Sequence, residues 1–95
     1  MMMGYFYFLS NSTRTLLYAG ATQNLKERLL LHEKGKASVF TKKYHLKYLV
    51  YYEVFASKSE AFVREKQIKN WRKEWKWNLI KETNPDLIDL KSEIS

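Results

Sequence analysis

Three ionisable side chains stand where a packed helix ordinarily carries apolar ones. Projecting residues 24–33 at about 100° per residue gathers Leu25, Leu29, Arg28 and His32 on one side, so a guanidinium and an imidazole share a leucine face. Further along, Glu65 falls between Ala61, Phe62 and Ile68 on the helical wheel, a carboxylate on an apolar face. Charges placed in this way cost stability unless each finds a partner. Two accounts follow. In one, Arg28 snorkels to the edge, His32 is a hydrogen-bonded boundary residue and Glu65 is salt-bridged. In the other, Glu65 is a metal ligand or a catalytic group. If both helices pack on one sheet, Arg28 and Glu65 can meet at its surface: a carboxylate able to hold a divalent ion beside a cation able to hold a phosphate. Tyr7 and Tyr18 lie on adjacent expected strands. Tyr18 comes just before the helix carrying Arg28, so its phenol can project toward the same spot, although packing is the ordinary role of a strand tyrosine.

The elements that must position these groups can be read in order. Residues 5–9 form an aromatic and aliphatic run too short for a helix. Asn11 to Arg14 supplies turn chemistry, and residues 15–19 return, which predicts a β-hairpin whose second strand ends at Gly20. Thr22 or Asn24 can cap a helix running to about Glu33, with Gly35 as the residue just past its end. A lysine-rich loop follows. Residues 46–55 predict a third strand, and the capping-box pattern Ser57-Lys58-Ser59-Glu60 opens a helix over residues 59–70. A last helix over residues 72–82 is stopped by Asn84-Pro85. Trp71, Trp75 and Leu79 recur at helical spacing and predict one core stripe. Trp77, off that stripe, is the indole expected to be partly exposed and to touch a ligand. The order is ββαβαα, an α+β arrangement in a single domain spanning residues 1–95.

Composition narrows the function. Ninety-five residues leave no room for a second domain. Fifteen aromatics can close a small core unaided. The absence of cysteine excludes disulfides, thiolate catalysis, iron–sulfur clusters and Cys-based zinc sites, and two histidines in separate segments make a histidine cage improbable. No apolar stretch of about 18 residues could span a bilayer, and the opening lacks a basic leader, so a soluble cytoplasmic chain is expected. Seventeen Lys and Arg against ten Asp and Glu leave a net charge of +7, which points to a polyanionic partner. The excess is concentrated: Lys34, Lys36, Lys42, Lys43 and Lys47 share a stretch without an acid, whereas beyond Lys81 four acids face Lys91 alone.

The motifs then combine. Tyr5-Phe6-Tyr7, ten intervening residues, Tyr18-Ala19-Gly20 and Arg28 ten residues after Tyr18 resemble a GIY-YIG endonuclease domain. The likeness is greatest to the small stand-alone bacterial GIY-YIG proteins, through Tyr18 to Thr22, Leu25 to His32 and Arg64 to Trp71. Phe40-Thr41-Lys42-Lys43-Tyr44, Leu49 to Glu53 and Asn84-Pro85 add to it, so the resemblance covers about residues 5–90. The first motif departs from the family pattern in reading Tyr-Phe-Tyr, and the second in having Ala19 where Ile is usual. Both departures spare the tyrosines. Ala21 stands where some repair-type members carry a lysine, a contact that is missing here or supplied by Lys34, Lys42 or Lys43.

This resemblance implies a three-stranded antiparallel sheet flanked by helices, hydrolysing DNA phosphodiesters on one face and so suited to DNA repair or recombination. Glu65 would bind a single Mg²⁺ or Mn²⁺, Arg28 would neutralise phosphate charge, Tyr18 would be the general base or relay, and Tyr7 would position water or phosphate. His32 is the alternative base. Nucleic acid would be held by Lys34, Lys36, Lys42, Lys43 and some of Lys66, Lys69, Arg72, Lys73 and Lys76. DNA is the expected polymer, with RNA as the other candidate, and no membrane is involved. With no appended binding domain, target choice would come from DNA structure or from a protein partner. A non-catalytic nucleic-acid-binding module on the same fold is the competing expectation.

Overall fold

The aromatic run near the start becomes the centre of the sheet. In the computed structural model, which describes residues 3–94, β1 (Gly4–Ser10) lies between β2 (Leu17–Thr22) and β3 (Tyr48–Phe55), antiparallel to both. The helices are α1 (Leu25–Glu33), α2 (Val39–Tyr44), α3 (Lys58–Lys69) and α4 (Lys73–Thr83), followed by a 3-10 turn, Lys91–Ile94. Alternation along β1 sends Tyr7 and Leu9 to one face and Phe6 and Phe8 to the other. Every one of these is buried because both faces are covered. Tyr7 and Leu9 pack with Leu25 and Leu29 of α1 and with Leu46 and Leu49. Phe6 and Phe8 pack with Ala19, Val50 and Tyr51, with Ile68 of α3 and with Ile80 of α4. The α+β class and the antiparallel three-stranded sheet are those expected from the sequence.

Helix ends are held by local chemistry. The Asn24 side chain accepts from Glu27 N–H, so Asn24 rather than Thr22 is the cap of α1. Gly35, at φ 70°, closes the helix. Its N–H bonds the His32 carbonyl, and the Lys36 N–H bonds that of Leu31, a Schellman ending. Ser57 caps α3 by accepting from Glu60 N–H.

Four expectations need correction. β2 is shifted: it begins at Leu17, because the Asn11 side chain accepts from Thr15 and Leu16 N–H and widens the turn. Gly20 does not end this strand but lies within it, opposite Tyr7. The lysine-rich loop contains α2, whose Ser38 side chain accepts from Thr41 N–H, so the helical order is ββααβαα. The tryptophan stripe is broken because α4 starts at Lys73, after an extended Arg72, so Trp71 and Trp75 belong to different helical phases. Trp75 is exposed, with the Arg72 guanidinium 5.4 Å from its ring centroid, whereas Trp77, partly exposed as expected, packs against the core beside Trp71 and Leu79.

Candidate active site

The site is built around one buried phenol. Tyr7 is 0% exposed, and its ring occupies the space a side chain at Gly20 would fill: a Cβ there would come within 2.5 Å of the Tyr7 hydroxyl. Glycine is therefore required at this point of β2 to let the phenol lie across the neighbouring strand. The hydroxyl meets His32 Nε2 at 2.9 Å, and His32 Nδ1 meets Thr41 Oγ1 at 3.0 Å. The Thr41 hydroxyl donates to the Ser38 carbonyl at 3.3 Å, which uses its single proton, so at the other contact His32 Nδ1 is the donor. With its proton on Nδ1, the imidazole accepts at Nε2 from Tyr7. The ring is 2% exposed; burial first, and then the Arg28 charge, pull its pKa down to about 4, so it is neutral at neutral pH.

Arg28 and Glu65 both act on the Tyr7 phenol. Burial, the neighbouring Tyr18 phenol and the Glu65 carboxylate raise its pKa well above the usual phenol range, opposed by the charge and hydrogen bonding of the Arg28 guanidinium. The two residues come from helices on opposite faces. α1 covers the Tyr7 face and α3 the Phe6 face, yet the two converge beyond the β2 edge, where Arg28, Thr22 and Asn24 share a depression with Lys58 and Phe62. The Glu65 carboxylate is mostly buried and pairs with Lys69 one turn on, Nζ to Oε2 at 2.5 Å; the lysine is half-exposed. Tyr18, half-buried, completes the group. Its ring lies 6.3 Å from Tyr7, 5.4 Å from His32 and 6.5 Å from Phe40. Tyr7, Tyr18, Arg28 and His32 thus gather at one place, with Glu65 in electrostatic reach of it, although the five come from four elements.

Sequence reasoning missed Gly20 as a packing requirement and Thr41 as the partner of His32. A threonine inside a lysine-rich stretch gives no signal. A glycine paired across a hairpin with a tyrosine does, once the register is known. A second polar cluster was also missed. On the Phe6 face Arg64 forms a two-pronged pair with Glu53 at 2.9 and 3.0 Å, Tyr51 donates to the same carboxylate, and the guanidinium lies over Trp71. This clamp fastens α3 to β3 and so fixes the helix that carries Glu65.

The cations named from the sequence divide between layers. Lys34 and Lys36 follow α1, and Lys42 and Lys43 are on α2, all exposed near the Tyr18 and His32 side of the sheet. Lys69 is tied to the site through Glu65, while Lys66 also lies at the end of α3. Arg72, Lys73 and Lys76 belong to α4 and its cap, in the layer over Phe6 and Phe8.

Among the described residues no group of three or more His, Cys, Asp or Glu forms a metal cage. A lone carboxylate nevertheless suits a hard octahedral ion such as Mg²⁺, which keeps most of its waters. Its partner Lys69 is exposed enough to move aside, so the donor set fits an ion held by Glu65 alone. No helix among the described residues is long and apolar enough to cross a membrane.

Comparison with known proteins agrees with this geometry. The GIY-YIG catalytic domain family model matches residues 3–78. A UPF0213 protein of Staphylococcus haemolyticus is 36% identical over 81 residues, covering 85% of this chain and 99% of the relative. One from Bacillus pumilus is 38% identical over 78 residues, 82% of this chain and 79% of the relative. One from Staphylococcus aureus is 33% identical over 81 residues, with 85% and 99% covered. No solved structure matches. A sheet with paired tyrosines, an arginine and a glutamate at the expected spacing, matched by the family model over most of its length, makes this chain a member of the GIY-YIG nuclease family.

Proposed function

We propose that this chain is a divalent-metal-dependent endonuclease that hydrolyses DNA phosphodiester bonds, directed by DNA structure or a protein partner rather than by sequence. The observation that carries the reading is that Arg28 and Glu65, from helices on opposite faces of the sheet, both lie within electrostatic reach of the Tyr7 phenol. Two opposite charges held near one buried hydroxyl cost stability that core packing does not require.

Hydrolysis needs an attacking water relieved of its proton, neutralised nonbridging oxygens and help for the leaving oxygen. Glu65 would hold the Mg²⁺ or Mn²⁺, and a bound ion supplies charge neutralisation at the phosphoryl oxygens. Arg28 supplies fixed positive charge at those oxygens and, with the ion, would stabilise the charge that develops on the leaving oxygen. Both nitrogens of His32 are engaged, Nε2 by Tyr7 and Nδ1 by Thr41, and the ring is buried. His32 therefore acts on Tyr7, holding its proton and its orientation, while Tyr18, the more exposed phenol, serves as base or relay to the water. Held in this way, Tyr7 offers its oxygen to Arg28 and keeps the guanidinium aimed.

One feature supports the non-catalytic alternative: the pairing of Glu65 with Lys69 satisfies the carboxylate without metal. The test is incubation of purified protein with duplex, single-stranded, flap and branched DNA in Mg²⁺, Mn²⁺ or EDTA. The nuclease reading expects cleavage of at least one substrate with metal and none with EDTA. Salt-sensitive binding with no cleavage in either metal would assign the binding-module role instead.

A further inference from the structure

The helix α2 has one buried residue, Thr41, which is fastened to His32; the rest of its surface is oddly apolar for a basic segment. Val39 is 86% exposed, Phe40 41% and Tyr44 41%. The Phe40 and Tyr44 rings touch, with centroids 4.9 Å apart, and Phe40 stacks beside Tyr18 at 6.5 Å and 25°. The three rings form a continuous shelf running from the candidate reacting centre outward. Lys42 and Lys43 flank it on the same helix, with the Lys43 ammonium 5.3 Å from the Tyr44 ring centroid, and no acid lies between Glu33 and Glu53. Aromatic rings held open to solvent among lysines, beside a site for a phosphodiester, match the two chemistries of a nucleotide: a flat apolar base and a charged backbone.

We propose that Phe40 and Tyr44 form a nucleobase-stacking subsite, which takes an unpaired base next to the phosphate that the Tyr18 site addresses. Lys42 and Lys43 hold the neighbouring phosphates. A base within an intact duplex is stacked on its neighbours on both sides and cannot lie on this shelf. The substrate class that follows is a strand with an unpaired nucleotide at the site: single-stranded DNA, a flap or a branch. The inference rests on the nuclease reading for its neighbouring phosphate, but binding to the shelf needs no catalysis.

The test is anisotropy of labelled DNA in EDTA at fixed salt. Three probes are used: a single-stranded oligonucleotide, the same strand with abasic sites at its central positions, and the blunt duplex. The proteins are the wild type and the doubly substituted Phe40→Leu, Tyr44→Leu variant. Wild type should bind the single strand about 10- to 100-fold more tightly than the abasic strand. The variant should lose that preference while its affinity for the abasic strand and the duplex stays within about twofold of wild type. The comparison of normal with abasic strands in the wild type alone tests the shelf even if the variant does not fold. Equal wild-type affinity for normal and abasic strands would overturn the proposal, as would equal loss by the variant on all three probes. A concentration-dependent dimer in sedimentation that the variant abolishes would also overturn it, by assigning the rings to a second copy. Base-dependent binding without cleavage in Mg²⁺ would leave the shelf standing and remove the nuclease reading; cleavage indifferent to abasic sites would do the reverse.

Discussion

Gly20 lacks a side chain because the Tyr7 phenol lies where one would be. A methyl group there would meet the hydroxyl and ring at 2.5 Å, and the ring has no room to retreat because Tyr7 is wholly buried. Gly20→Ala is therefore expected to destabilise the fold by about 1–3 kcal/mol and to displace the phenol from His32. Urea unfolding measures the first effect; an unchanged midpoint would show that Tyr7 has a second place to go. His32 supplies another residue-scale expectation. Unfolded, its imidazole takes a proton near pH 6.5, whereas in the fold it does so only near 4. Between these values the unfolded state binds more protons, so the contribution of His32 to stability is complete above about pH 6.5 and is lost as the pH falls toward 4. The loss amounts to about 3 kcal/mol. Unfolding free energies from pH 7.5 to 4.5 should show this slope in wild type and a shallower one in His32→Gln; equal slopes would assign the titration elsewhere. At this scale Arg28, His32 and Glu65 were legible because each is polar on an apolar face. Gly20 and Thr41 were not, since their roles depend on register and on a contact between separate segments.

Helix α2 adds little to the core yet orients the site. Its single buried residue fixes the histidine tautomer, and through it the phenol. Thr41→Val keeps the shape but leaves the buried Nδ1 proton without an acceptor, at an expected cost of about 1–3 kcal/mol, which Thr41→Ser should largely restore. Equal unfolding midpoints for the Val and Ser variants would remove Thr41 from the chain of hydrogen bonds. The element pattern explains which parts of the fold could be read in advance. β1, β3, α1 and α3 announce themselves through aromatic runs, leucine spacing and caps at Asn24 and Ser57. α2 is six residues long, too short for a period, and its lysines read as a solvated loop. The tryptophan spacing misled because it crosses the break between α3 and α4.

On the scale of the whole molecule, basic charge falls on both helical layers, around α2 and along α3 and α4. Two of the four acids beyond Lys81 fasten the tail. Asp89 accepts from Leu49 N–H, Glu93 accepts from Tyr52, and Lys91 pairs with Asp89 and Glu33. The positive excess is shared between Lys34, Lys36, Lys42 and Lys43 around α2 and the cations of α3 and α4, where residues 58–81 carry eight Lys and Arg against three acids. Neutralising about four phosphates should give a log–log salt slope of about −3 to −4 for DNA binding. A slope near zero would mean that the charge serves solubility. The central claim concerns Glu65, and its most direct test is single-turnover cleavage of the preferred substrate in Mg²⁺ by wild type and Glu65→Gln, with both melted in EDTA and in Mg²⁺. The amide keeps the size of the side chain but not its charge, and the pairing with a half-exposed Lys69 is worth at most about 1 kcal/mol. The account predicts that the variant does not cleave, melts within a few degrees of wild type in EDTA and gains no stability from Mg²⁺. A variant that melts far lower yet still cleaves would show that Glu65 holds the domain together and that the metal, if any, is held elsewhere.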